Sequence, residues 1–198
     1  AFRQMTASPD VRVVLFTGQG DRAFVAGADI GELDGATPRQ ALVIASRIRA
    51  VIDAMLACPK PIVAVINGLA YGGGFELALA SDIRIASSRA RFCLPEIKLG
   101  IIPGAGGSVR LAQIAGAGLA KQMTMTGEPI DAARAWQLGI VSSIHDPDDL
   151  GAAAAELAGK LAASATFALA QLKQVIDHAA DAPTNAALEN EVSAFALC

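Results

Sequence analysis

The sequence predicts an α/β fold with a helical C-terminal region, on three observations. Residues 61–66 (PIVAVI) are uncharged and β-branched, which suits a strand covered on both faces. Helical periodicity stands before and after that run, the alternation of α/β proteins. From Ala117 the composition shifts to alanine-rich helices. A length of 198 residues suits one domain with a real core, or a domain and a helical appendage. The expected division is a core over residues 1–116 and a helical region over residues 117–198.

In order, residues 1–5 (AFRQM) read as the tail of a helix, so a longer parent chain is expected. Residues 11–17 (VRVVLFT) read as a buried strand, closed by the Gly18-Gln19-Gly20-Asp21 turn. Residues 24–30 (FVAGADI) read as a small-residue loop where the backbone can approach a ligand, with Asp29 placed to cap a short helix. Thr37 and Pro38 open the next helix as cap and first-turn proline. Ala41, Ile44, Ala45, Ile48, Val51, Ile52 and Met55 recur along it at helical spacing, which predicts a core-facing stripe. Cys58-Pro59-Lys60-Pro61 ends it.

Asn67-Gly68 closes the central strand, and Gly72-Gly73-Gly74 leads into a helix expected over residues 75–80. Three glycines set amide N–H groups, unshielded by side chains, at the positive end of that helix. Glu76 stands three residues past Gly73, on the same helical face. Two readings fit. Either a developing anion binds there beside a carboxylate, or the glycines let helix and strand pack closely while Glu76 complements the helix dipole.

Residues 82–86 read as a strand with Ile83 and Ile85 on one face, and residues 91–93 continue the sheet. Glu96 follows Pro95 just beyond the strand's end; it is a second site acid, a solvated loop glutamate or a partner of Lys98. Residues 101–108 (IIPGAGGS) form a second glycine-rich turn, again bringing bare amides to a helix start, here over residues 109–114. Helices follow at 119–125 and 131–138, the latter capped by Gly139, then an extended piece at 141–144. Helices at 148–163, 165–180 and 185–197 carry more apolar residues than a lone surface helix needs, which predicts packing on another subunit. His145 and His178 lack metal-ligand spacing and read as surface residues, and Trp136 and Tyr71 as structural.

The hydrophobic fraction is 53% and the mean hydropathy +0.44. The longest charge-free run, residues 61–75, is too short and glycine-rich to span a bilayer, so a soluble chain without membrane partners is expected. No basic segment followed by an apolar one marks it for export. Three cysteines, Cys58, Cys93 and Cys198, without a C-x-x-C pair argue against a disulfide framework or a zinc site and for a reducing compartment, with cytoplasm expected. A net charge of −3 offers no nucleic-acid footprint, while leaving room for a local basic patch facing a phosphorylated ligand. Dinucleotide-binding, P-loop and nucleophile-elbow motifs are absent from the sequence. What remains is two amide-rich turns, residues 26–29 and 72–74, and two carboxylates, Glu76 and Glu96: the makings of an enolate-forming site. Two amides on one oxygen form an oxyanion hole, in which losing one donor costs about 2.7 to 4 kcal/mol. The carboxylates can then move protons at the α carbon, for roughly 10²- to 10⁴-fold each.

The ordered pieces Ala26-Gly27-Ala28-Asp29-Ile30, Lys60-Pro61, Asn67-Gly68, residues 72–78 (GGGFELA), Ser81-Asp82-Ile83, residues 95–100 (PEIKLG) and 102–107 (IPGAGG) together resemble the crotonase (enoyl-CoA hydratase/isomerase) superfamily, over nearly the whole chain. The resemblance implies a spiral of ββα units, a helical C-terminal region used in oligomerisation as a homotrimer or homohexamer, and acyl-CoA thioester substrates. It implies no metal or redox cofactor, coenzyme A being carried by the substrate. By position it assigns the oxyanion amides to Ala28 and Gly73, and the coenzyme A contacts to Ala26, Gly27, Ala28, Asp29, Ile30 and Gly31. Glu76 would activate water, Glu96 would exchange the α proton, and Gly104 would help position the reactants. Keeping both acids points to an enoyl-CoA hydratase, the syn addition of water to a trans-2-enoyl-CoA. A Δ3,Δ2-enoyl-CoA isomerase and a non-catalytic coenzyme A-binding relative are the alternatives. Gly31 stands where many hydratases have lysine, and Leu94 where a polar residue or glycine is common. The family's first strands and final helix have no counterpart, so a chain incomplete at both ends is expected.

Overall fold

The computed structural model describes residues 2–29, 31 and 35–198. The covered run is strand β3 (Ile62–Ile66), buried at all five positions. It lies inside a sheet of four parallel strands with β1 (Val14–Thr17), β5 (Ile83–Ser87) and β8 (Ser143–His145), in the order β1-β3-β5-β8. Burial on both faces explains the unbroken apolar run. Val63 and Val65 pack with Ile85, Leu150 and Ala154, whereas Ala64 and Ile66 pack into the main core with Phe75 and Phe92.

A second sheet holds β2 (Ala23–Val25), β4 (Leu69–Tyr71), β6 (Arg91–Cys93) and β7 (Ile130–Asp131), in that order. Its first three strands are parallel and the last is antiparallel. Here the structure corrects the sequence reading. Residues 23–25 and 69–71 are strands rather than loop and turn, and residues 91–93 belong to this second sheet instead of continuing the first. Strands of three residues bounded by glycine turns are too short to show a period of two. Each pass along the chain therefore adds one strand to each sheet before a helix, the ββα spiral that the motif set implies. The helices are α2 (Pro38–Leu56), α3 (Gly73–Leu79) and α4 (Gly107–Ala115).

Local chemistry sets the helix ends. Thr37 and Gln40 form a reciprocal capping box on α2, with Pro38 in the first turn. Lys60 is buried yet satisfied: its Nζ donates to Met5 O at 2.6 Å and Ser8 O at 2.5 Å, at the C-terminal end of α1 (Phe2–Ala7). Gly74 is a contact requirement, because a Cβ there would lie 2.1 Å from the Val25 carbonyl oxygen. Helix α3 thus rests directly on β2, and for this glycine the packing reading holds.

The C-terminal region comprises α5 (Ala117–Thr126), α6 (Ala132–Gln137), α7 (Leu150–Ala163), α8 (Thr166–Ala179) and α9 (Thr184–Leu197). Its strands β7 and β8 each extend one of the two sheets. Helix α8 is tied down by Lys173, whose Nζ donates to Asp82 Oδ2 at 3.0 Å and to Met55 O at 3.3 Å. Asp82 Oδ2 also accepts from the Ile62 amide at 2.7 Å, so one carboxylate joins α8 to the central strand. Phe167, Ile176, Leu188, Val192 and Phe195 remain exposed on α8 and α9. Trp136 is 56% exposed, outside the core. His145 is half-buried in β8 and hydrogen-bonded to Ser143 Oγ at 2.8 Å, rather than lying in an exposed segment. No helix among the described residues is long and apolar enough to cross a membrane.

Candidate active site

Three stretches distant in sequence meet around a cavity of about 270 Å³: the loop after β2, the start of α3, and the segment around Glu96. Ala26, Gly27 and Ala28 form one wall, Gly72, Gly73 and Glu76 a second, and Pro95, Glu96 and Gly104 a third. The strand register explains the meeting, because β2 and β4 are neighbours and so deliver residues 26–28 and 72–73 to the same end of the second sheet.

At Gly72 the chain turns with φ +52°, open to glycine and strained for other residues. Its amide donates to Cys93 O at 2.9 Å, and a Cβ there would approach Glu96 Oε1 to 3.2 Å. The next amide, of Gly73, opens α3 and has no intrahelical acceptor. A Cβ on Gly73 would lie 3.9 Å from the Ala28 nitrogen, so the two predicted oxyanion amides are neighbours. Neither donates to another group among the described residues.

Glu76 is 3% exposed. Its Oε1 accepts from the Ala105 and Gly107 amides, both at 2.8 Å. The second glycine-rich turn, read from sequence as bare amides, thus spends its donors on Glu76, leaving Oε2 without a donor among the described residues. Glu96 opens a 3₁₀ turn (Glu96–Leu99), and its Oε2 is buried without a hydrogen-bond partner among the described residues. Burial pushes this carboxyl above its ordinary range; its own backbone amide opposes that shift, and the nearby Glu76 charge adds to it. The alternative pairing with Lys98 is not formed, since Lys98 Nζ reaches Glu128 at 3.3 Å. A buried polar atom left unpartnered on a cavity wall is a mark of a functional site.

The other expected positions divide. Gly104 lines the cavity, and a Cβ on it would meet the Ala45 Cβ at 3.4 Å. Asp29 and Gly31 are exposed, outside the lining. Asp29 Oδ1 accepts from the Gly31 amide at 2.9 Å, while the short helix it is expected to cap falls outside the described residues. Ile30 lies outside the described residues. Helix α2 brings a correction: Ile52 and Met55 are buried in the core, but Ala41, Ile44, Ala45 and Ile48 line the cavity, and Val51 is 44% exposed. With Leu99, Ile101 and Ile102 they make an apolar wall that sequence reasoning did not assign to the site. Helical spacing alone cannot separate a stripe facing a core from one facing an apolar ligand. Among the described residues no group of three or more His, Cys, Asp or Glu side chains is arranged to hold a metal ion.

Comparison with known proteins agrees with this architecture. Residues 1–197 match the family described as Enoyl-CoA hydratase/isomerase. The short-chain-enoyl-CoA hydratase of Clostridium acetobutylicum is 39% identical over 189 residues, covering 96% of this chain and 72% of the relative. The crotonyl-CoA hydratase of Syntrophomonas wolfei is 36% identical over 190 residues, covering 96% and 73%. The crystal structure of an enoyl-CoA hydratase from Bacillus anthracis superposes with a TM-score of 0.94 at 38% identity, covering 98% of this chain and 75% of that one. The chain belongs to the enoyl-CoA hydratase/isomerase family of the crotonase superfamily.

Proposed function

We propose that the protein is an enoyl-CoA hydratase, adding water reversibly across a trans-2-enoyl-CoA to give a 3-hydroxyacyl-CoA. The observation that carries this reading is the pair of carboxylates, Glu76 and Glu96, lining one cavity together with the neighbouring amides of Ala28 and Gly73. The thioester oxygen accepts from both amides, which stabilise the negative charge it gains as water attacks the β carbon. Glu76, steadied through Oε1, takes the proton from that water on Oε2. Glu96, whose proton affinity burial raises, delivers a proton to the α carbon as the enolate collapses. The exchange needs no metal or redox cofactor. The loop of Ala26, Gly27 and Ala28 receives the coenzyme A portion, and the apolar wall of Ala41, Ile44 and Ala45 receives an uncharged acyl chain.

The same reading places the enzyme in fatty-acid or related acyl-CoA metabolism in the cytoplasm. It also makes the C-terminal region an oligomer-forming surface, supported by the exposed apolar side chains of α8 and α9. A folded monomer in sedimentation at micromolar concentration would contradict that assembly. The product from a short trans-2-enoyl-CoA tests the activity. A 3-hydroxyacyl-CoA is expected, whereas a 3-enoyl-CoA would select the isomerase and binding without turnover the non-catalytic relative.

A further inference from the structure

The two amides that hold Glu76 belong to a turn that is itself held from its far side. Ala105 and Gly107 point their N–H groups inward to Glu76 Oε1 at 2.8 Å, while the Ala105 carbonyl accepts from Arg110 Nη1 at 3.1 Å. That carbonyl and the Gly106 nitrogen share one peptide plane. Holding the oxygen therefore restrains ψ of Ala105 and φ of Gly106, two of the torsions that lie between the Ala105 and Gly107 amides. Gly106 sits at φ +102°, and a Cβ there would collide with Arg110 Nη1, so turn and guanidinium are fitted to each other. We propose that Arg110 is a positioning residue for catalysis, setting the Glu76 carboxylate through the turn of residues 105–107. The proposal rests on the hydratase reading and on Glu76 as the group that activates water.

Burial lowers the proton affinity of Arg110 and Arg49 adds to that, but Asp53, Glu76 and Asp177 act in the opposite sense. Arg110 has no place on the cavity wall, so it acts through the turn, without contact with substrate.

The test compares Arg110→Met, which keeps bulk and removes the donors, with Arg110→Lys, which keeps a cation and a donor without the planar fork. A misaimed general base costs up to about 10²-fold in turnover. We therefore expect kcat to fall about 10- to 100-fold in Arg110→Met, with KM within about threefold of the parent, because substrate binding is untouched. Arg110→Lys should fall between them. Millimolar guanidinium, but not sodium at equal ionic strength, should raise the rate of Arg110→Met. In a Glu76→Gln background the same substitution should cost clearly less than in the parent, because the group being aimed can no longer accept the proton. A folded Arg110→Met protein with parental kcat, a loss confined to KM, or the same fold-loss in both backgrounds would overturn the proposal. If Arg110→Met does not fold, Arg110→Lys decides. Reduced kcat at parental KM, with faster hydrogen exchange at the Ala105 and Gly107 amides, is expected; parental values for both would overturn it. A parent protein that hydrates no 2-enoyl-CoA would instead bring down the hydratase reading, and this inference with it.

Discussion

Replacing Glu76 by glutamine and, separately, by alanine divides its proposed catalytic role from its structural one. Glutamine keeps an oxygen where Oε1 accepts from Ala105 and Gly107 at 2.8 Å, so both buried amides stay paired. Hydrogen bonds to a charged group contribute about 1.5 to 3 kcal/mol and neutral ones about 0.5 to 1.5, so two weakened bonds cost up to about 2 to 3 kcal/mol of stability. Alanine leaves both amides unpaired in a site where Glu76 is 3% exposed, at about 1 to 3 kcal/mol each. The total of about 2 to 6 kcal/mol is a large share of the about 5 to 15 kcal/mol that holds a domain folded. Catalysis should not follow this order. Glutamine cannot take a proton from water, so its kcat should fall about 10²- to 10⁴-fold, equivalent to about 2.7 to 5.4 kcal/mol on the barrier. Loss of the conjugated enoyl thioester's ultraviolet absorbance reads the rate, and urea unfolding reads the stability. A Glu76→Gln protein retaining more than about a tenth of parental turnover would refute the assigned role. Equal destabilisation by glutamine and alanine would refute the account of the two amides.

Three other substitutions probe separate parts of the site. Glu96→Gln should lose about 10²- to 10⁴-fold in kcat. Its stability relative to the parent should grow with pH, because a carboxyl raised in the folded state contributes stability below the ordinary carboxylate range that is lost as pH rises through its raised value. Urea unfolding at several pH values checks this, and a pH-independent difference would contradict it. Gly74→Ala drives a Cβ to 2.1 Å from the Val25 carbonyl, so β2 and the Ala28 loop must shift. A stability loss of about 3 kcal/mol and a fall in kcat are expected, against unchanged unfolding if α3 can move away instead. Ala45→Leu narrows the apolar end of the cavity, and each methylene denied burial costs about 0.8 kcal/mol. The kcat/KM ratio of eight-carbon to four-carbon enoyl-CoA should therefore fall by about 10- to 200-fold, and equal losses for both would place the acyl chain elsewhere.

The residues with backbone reasons to be where they are were the legible ones. The triple glycine and Glu76 could be read because a strand, a turn and a helix start follow one another within a few residues. The structure then divides the glycines' tasks: positive φ at Gly72, a bare amide at Gly73, close packing at Gly74. Glu96 was legible as an acid after a proline, but its orphaned oxygen depends on tertiary burial. Strands β2 and β4 were not legible, because three residues carry no measurable alternation and their pairing is entirely nonlocal. The stripe on α2 had the right period and the wrong destination, since a cavity for an apolar chain asks for the same residues as a core. The clamp on Glu76 was hidden for a different reason: the donors are backbone amides, and any residue but proline supplies one.

In the proposed reaction two carboxylates add water, rather than one shuttling a proton along the chain. Incubating the protein with a trans-2-enoyl-CoA in deuterated water and locating deuterium in the product by NMR tests it most directly. The account predicts a 3-hydroxyacyl-CoA with one deuteron at the α carbon and none at the γ carbon; a 3-enoyl-CoA with deuterium at the γ carbon and no hydroxyl would contradict it.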